Sequence, residues 1–276
     1  MRLDRALAER ALARSRSHAQ ELIAAGAVTV NGRAATKPSL DVDHDADIAV
    51  VGDAAKYVSR AAHKLVGAIE RCAPTGLTIA GRRALDAGAS TGGFTQVLLE
   101  RGADHVRAVD VGHDQLAAAV RDDPRVTAVE GLNVRYLTGE DEGAGVDLVV
   151  SDLSFISLPI VIPALVDYAA DDADFLLMVK PQFELGRRAL TGRGVVTDPR
   201  DRARAVTGVA AAMEASGLVI HEVARSALPG PEGNVEFFIW GSGAWQARGQ
   251  HPDRRGRPVL TGDALTARID EEALTG

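Results

Sequence analysis

Leu85-Asp86-Ala87-Gly88-Ala89-Ser90-Thr91-Gly92-Gly93-Phe94 is the stretch that decides the fold. A short apolar strand runs into a glycine-rich turn, and the turn opens onto helical periodicity over residues 94–101. Glycines at such a turn let a ligand approach the backbone closely, and the N-terminus of the following helix can face a carboxylate. The spacing is G-x-x-x-G-G rather than the G-x-G-x-x-G of dinucleotide folds. It favours a smaller nucleoside ligand over a pyrophosphate.

Outward from this turn, apolar runs recur at 83–86, 106–110, 127–130, 146–152, 174–180, 218–224 and 236–240. Five are followed by helical periodicity, which predicts an α/β fold with a parallel, doubly wound sheet. The last two lie close together, as an antiparallel pair would. Asp110 closes the second strand, 24 residues after Asp86. A carboxylate there can accept both ribose hydroxyls of a cofactor. Asn133, beyond the third strand, can meet an adenine edge or form a turn.

Lys64, Asp152, Lys180 and Glu236 occupy strand ends or helix starts in segments that otherwise read as core. Isolated buried charges are costly, so charges at such places should converge and neutralise one another. Asp152 and Lys180 close two strands, where open α/β sheets carry their active sites. Pro181 should keep a helix from resuming directly after Lys180.

Residues 1–50 read as a separate module. Leu3, Ala6, Leu7 and Leu12 mark one amphipathic helix, and Ser15 can cap a second that stops at Gly26. Val28-Thr29-Val30-Asn31-Gly32-Arg33 then gives a strand and an Asn-Gly turn, a strong hairpin signal. Seven basic residues against three acids in the first forty form a local basic face on a chain whose net charge is −7. Such a face supports phosphate contact. The expected organisation is a module over 1–52, a linker over 53–59, an α/β domain over 60–242, and a poorly ordered tail over 243–276.

A single cysteine, Cys72, excludes an intrachain disulfide and fits a reducing cytosol. Charges recur through the first sixteen residues, unlike a signal peptide. The most apolar run, 153–166, is interrupted by Pro159 and Pro163 and is shorter than the roughly 20 residues of a membrane span. A soluble, cytoplasmic protein is expected.

Tyr57-Val58-Ser59-Arg60-Ala61-Ala62-His63-Lys64-Leu65, the Leu85–Phe94 turn, Ala108-Val109-Asp110-Val111-Gly112, Ser151-Asp152-Leu153-Ser154-Phe155-Ile156-Ser157 and Val179-Lys180-Pro181-Gln182-Phe183-Glu184 closely resemble the TlyA family over roughly residues 1–240. These are bacterial ribosomal-RNA 2′-O-methyltransferases, also called haemolysins, which join an S4-like RNA-binding domain to an FtsJ-like methyltransferase domain. Ala61-Ala62 departs from the family pattern, where a glycine is expected. The resemblance implies a Rossmann-like class I methyltransferase sheet with a small N-terminal S4-like α+β domain. It implies S-adenosylmethionine held by Asp86, Gly88, Ser90, Gly92, Gly93, Asp110, Val111 and Asn133. It also implies a Lys64-Asp152-Lys180-Glu236 tetrad acting without a metal on a ribose hydroxyl, of cytidine, in small- or large-subunit ribosomal RNA. RNA contacts are expected from Arg2, Arg16, Lys37, Arg60 and Arg135.

The chemistry agrees. A ribose hydroxyl is a poor nucleophile, so the enzyme must position it and help remove its proton. Two ammonium groups in one desolvated site disfavour each other's charge, which suits Lys180 as proton acceptor and Lys64 as the orienting group. A pore-forming haemolysin would need a span or a cationic amphipathic helix, and a non-catalytic RNA-binding or ribosome-assembly protein would need a vestigial turn. A base methyltransferase would carry an Asn/Asp-Pro-Pro-aromatic motif where Asp152-Leu153-Ser154-Phe155 stands.

Overall fold

The computed structural model describes the chain except positions 11, 14, 25, 53–55, 187, 188, 231, 244–252, 254 and 276. It divides into two compact units, Met1–Arg60 and Ala61–Gly276.

In the first unit, helices α1 (Leu3–Glu9) and α2 (Arg16–Ala24) pack with strands β1 (Val28–Val30), β2 (Arg33–Ala34) and β3 (Ile48–Val50). Ser15 caps α2 as expected, its Oγ accepting from the His18 N–H at 3.1 Å. The strands form an antiparallel sheet in the order β2-β1-β3. Asn31 and Gly32 both take positive φ, 50° and 74°, which matches the twist of a two-residue hairpin. Leu3, Leu7, Ile23 and Val28 are fully or almost fully buried and form the core. The expected linker falls partly outside the described residues, at 53–55.

The second unit opens with α3 (Ala61–Cys72) and is built on a seven-stranded sheet: β4 (Arg83–Ala87), β5 (His105–Asp110), β6 (Val126–Glu130), β7 (Val146–Ser151), β8 (Ala169–Val179), β9 (Leu218–Arg225) and β10 (Phe237–Gly243). Their order is β6-β5-β4-β7-β8-β10-β9. The first five are parallel, and β10 runs antiparallel between β8 and β9. Helices α4 (Gly93–Glu100), α5 (Ala118–Arg121), α6 (Leu158–Tyr168), α7 (Pro181–Glu184) and α8 (Pro199–Ala215) connect them. β7, β10 and the second half of β8 are nearly continuous buried runs because both sheet faces are covered there, whereas the edge strand β6 has no fully buried residue. The chain order reverses at β4, whose neighbours are β5 and β7; ligands bind beyond the strand ends at such a switch point.

Two expectations need correction. Pro181 does not hold off a helix; it sits in the first turn of α7, where its missing N–H costs nothing. The tail, expected to be poorly ordered over 243–276, carries a helix. Among its described residues, α9 (Gly262–Leu274) buries Leu265, Ile269 and Ala273 in the main core, and Leu260 bridges Ile220 of β9. Spacings of four between Leu265, Ile269 and Ala273 carry that helix, behind a Gly-, Pro- and Arg-rich approach that hides it.

Candidate active site

The turn after β4 is fastened to β5 by its backbone. Gly88 and Ala89 N–H groups both donate to the Val109 carbonyl, and the Ser90 N–H donates to Asp110 Oδ2 at 2.8 Å. Gly88 has φ 88°, and a Cβ there would meet the Asp152 carbonyl oxygen at 3.0 Å, so glycine is required. Asp110 Oδ1 also accepts from the Gly112 N–H at 2.8 Å, which fixes the loop after β5. Asn133 lines the cleft and forms a turn, its Oδ1 accepting from the Arg135 N–H at 3.1 Å at the start of a 3-10 turn.

Gly88, Ser90, Asp110, Val111, Asn133, Arg135 and Asp152 converge on one cleft of about 830 Å3, together with Gln115, Leu153, Ser154, Phe155 and Phe183. Gly92 and Gly93 do not line it. Gly92 lets the turn pass close to Leu116 and Val120, and Gly93 begins α4. Asp86 does not line it either; its carboxyl is fully buried beneath the turn, where Oδ2 accepts from Thr95 Oγ1 at 2.6 Å and Oδ1 has no hydrogen bond. Burial first, then the nearby Asp152 and Asp110 charges, push this carboxyl up to about 7 against the Thr95 hydrogen bonds.

The four charged residues form two pairs. Lys64 Nζ, on α3, lies 2.5 Å from Glu236 Oε2, and both side chains are buried. Lys180 Nζ lies 2.6 Å from Asp152 Oδ1, off the hydrogen-bonding direction, and donates to Ser154 Oγ at 2.9 Å. Phe237 is opposite Val179 in the β10–β8 ladder. Glu236 and Lys180, the next residues outward, therefore stand at the same sheet edge.

Other residues brace this edge. Glu184 Oε1 accepts from the Leu158 N–H and Oε2 from Ser157 Oγ, which ties α7 to the start of α6; burial raises its carboxyl. Phe155, 92% exposed with φ 62°, sets its ring 5.1 Å from that of Phe183. Asn234, buried two residues before Glu236, accepts from the Val196 N–H and donates to the Gly194 carbonyl. None of these was given a role from the sequence, although Phe155, Phe183 and Glu184 stand in the motifs quoted above and two phenylalanines just after strand ends are a signal in a chain with only six.

Among the expected RNA contacts, Arg135 is exposed with its guanidinium 5.0 Å from the exposed Tyr136 ring. Arg60 and Lys37 are exposed. Arg2 and Arg16 both hold Asp4.

The profile of the FtsJ-like methyltransferases matches residues 57–242, and that of the S4 domain matches residues 1–48. The chain belongs to the FtsJ-like methyltransferase family. It is 54% identical over 240 residues to the Mycobacterium tuberculosis 16S/23S rRNA (cytidine-2'-O)-methyltransferase TlyA, spanning 87% of this chain and 88% of that protein. Hemolysin A of Brachyspira hyodysenteriae is 36% identical over 86% of this chain and 98% of its own. A solved Streptococcus thermophilus structure, described as a hemolysin, superposes with a TM-score of 0.72 at 30% identity, covering 98% of this chain and 94% of that one. The FtsJ-like assignment accounts for the Rossmann-like sheet. No helix among the described residues is long and apolar enough to cross a membrane.

Proposed function

We propose that this FtsJ-like protein transfers a methyl group from S-adenosylmethionine to a ribose 2′-hydroxyl of ribosomal RNA, at a cytidine as in its M. tuberculosis relative. The observation that carries the reading is the Lys180–Asp152 pair beside the Lys64–Glu236 pair at one sheet edge, with Asp152 and Ser154 lining the cleft.

The cleft fits the cofactor. Its volume lies in the range for small-molecule sites, roughly 300–1,000 Å3, and Gly88 lets the glycine turn pack against the Asp152 backbone where both line the cleft. Asp110 suits the ribose, Asn133 and Val111 the adenine. Gly88 and Ser90 suit the methionine end, with buried Asp86 beneath them; Gly92 and Gly93 support the turn. When bound, S-adenosylmethionine supplies an electrophilic methyl group on a sulfonium.

The chain's own residues then handle the oxygen and its proton. Lys180 accepts the 2′-hydroxyl proton while Ser154 and Asp152 hold its amine in place. Lys64, fixed by Glu236, orients the ribose. The Phe155–Phe183 rings offer an aromatic face for the target base at the mouth of the cleft. The S4-like module, over residues 1–52, binds RNA through Arg2, Arg16 and Lys37, with Arg60 and Arg135 adding phosphate contacts. Such an enzyme works in the cytoplasm, where ribosomal subunits are assembled.

The test is labelled methyl transfer to small and large ribosomal subunits from a strain lacking the activity. A methylated 2′-oxygen cannot attack its own phosphodiester, so the modified linkage should resist alkali. Label confined to bases, or no transfer to either subunit, overturns the reading.

A further inference from the structure

The described basic residues of the first forty positions do not form one uniform patch. Arg10 is spent on the backbone, donating to the carbonyls of Asp43, His44 and Ala46 at 2.6–3.1 Å. Arg5 pairs with Glu9 one turn away. Arg2 and Arg16 are organised differently. Both converge on Asp4, which has no solvent exposure although it lies near the surface of α1, because the groups that bind it also cover it.

Asp4 takes four hydrogen bonds. Arg2 Nε donates to Oδ1 at 3.1 Å, and Arg2 Nη2, Arg16 Nη2 and Gln20 Nε2 each donate to Oδ2 at 3.0 Å. These donors, Arg2 first, hold the carboxyl far below the usual carboxylate range. Arg2 spends two of its five N–H donors here, and the side chains of Arg2 and Arg16 stay half exposed, at 51% and 57%. The backbone fixes the same corner. Leu3 and Asp4 N–H groups donate to the Leu40 and Pro38 carbonyls, which brings Lys37 beside the start of α1.

We propose that Asp4 is a positioning residue for RNA: it holds Arg2 and Arg16 as a fixed fork whose outer edges meet backbone phosphates. The proposal rests on the RNA-binding role given to this module above. Two guanidinium groups on one carboxylate leave a net positive charge, while the carboxylate removes the rotamer freedom that long, exposed arginines would otherwise lose on binding. A planar fork held edge-on matches the bidentate geometry of phosphate.

This makes an unusual prediction of sign. Asp4→Asn deletes a negative charge from a basic face. Were the arginines only a diffuse electrostatic patch, RNA affinity should rise and its salt dependence steepen. If Asp4 orders them, affinity should fall despite the added positive charge.

The experiment uses the full chain and filter binding to purified small and large ribosomal subunits from a strain lacking the enzyme. Asp4→Asn should weaken binding about ten-fold, as expected when preorganisation is lost. Arg2→Ala should then cost less in the Asp4→Asn background than in the wild type, while Lys37→Ala should cost the same in both. General damage to the module would erase the Lys37 effect as well, and that result overturns the proposal. Unchanged or tighter binding by Asp4→Asn also overturns it. Arg2→Lys gives a second reading that leaves Asp4 in place: it keeps the charge and loses the two-point grip, so several-fold weaker binding is expected, and wild-type affinity would count against the fork. If Arg2→Ala with Arg16→Ala leaves subunit binding intact, the RNA-binding reading fails instead.

Discussion

Asp86 shows how one residue links the fold to pH. Its ordinary value of 3.8 rises to about 7 on burial. Between those values the folded protein holds a proton that the unfolded chain has released, so stability falls as pH rises from about 4 through 7. A change of this size corresponds to roughly 4 kcal/mol. Asp86→Asn, neutral at every pH, should remove that dependence. Thermal melts of both proteins from pH 5 to 8 should therefore diverge as the wild type weakens, and parallel profiles would disprove the assignment. Lys180 makes the complementary case for chemistry. Lys180→Ala should lower single-turnover methyl transfer by at least the roughly 10²–10⁴ that positioned proton transfer supplies, with cofactor and RNA binding nearly unchanged. Lys180→Arg should fail equally, because guanidinium does not give up its proton at any usable pH. Near-normal rates in Lys180→Arg would leave Lys180 with a purely electrostatic role.

Among elements, the segment ending in α9 departs furthest from its sequence. Its approach is pinned by Asp174 of β8, which has no solvent exposure. That carboxylate takes donors from Arg82, Arg255, Arg257 and Trp240 Nε1, and Arg257 also pairs with buried Asp253. Beyond it, Ile269 of α9 packs into the core. Truncating a buried isoleucine costs about 2–5 kcal/mol, whereas the same change in a disordered tail costs nothing. Ile269→Ala should thus lower the unfolding free energy, read from urea denaturation, by about 2–5 kcal/mol, and an unshifted midpoint would return α9 to the status of an appendage. In the site elements the lesson differs. The strands and their charged ends were legible because period and placement are properties of a single segment. The bracing of α7 against α6 by Glu184, and of Phe155 against Phe183, was not legible, because it depends on where two loops meet.

For the whole molecule, two compact units with separate cores imply separable tasks. Deleting residues 1–50 should leave S-adenosylmethionine affinity, read by calorimetry, within about two-fold, since the lining of the cleft belongs to the second unit. Affinity for ribosomal subunits should fall steeply and lose much of its salt dependence, because the phosphate contacts go with the deleted module. Undiminished subunit binding would move RNA recognition to the methyltransferase unit.

Alternating apolar runs and helical periodicity by themselves determined the α/β class, the Asn-Gly hairpin, the glycine turn and the strand ends that carry Asp110, Asp152 and Lys180. Each is written within a few neighbouring residues, where local sterics and burial act. Only the tertiary structure decided partners. Lys64 finds Glu236 across 172 positions of chain, Asp174 gathers arginines more than 80 positions away on either side of it, and Asp4 claims two arginines that composition alone counts as free positive charge. Buried charges must be neutralised, so the sequence demands that such pairs exist; which carboxylate meets which cation is fixed by the sheet order and the crossing of helices over it.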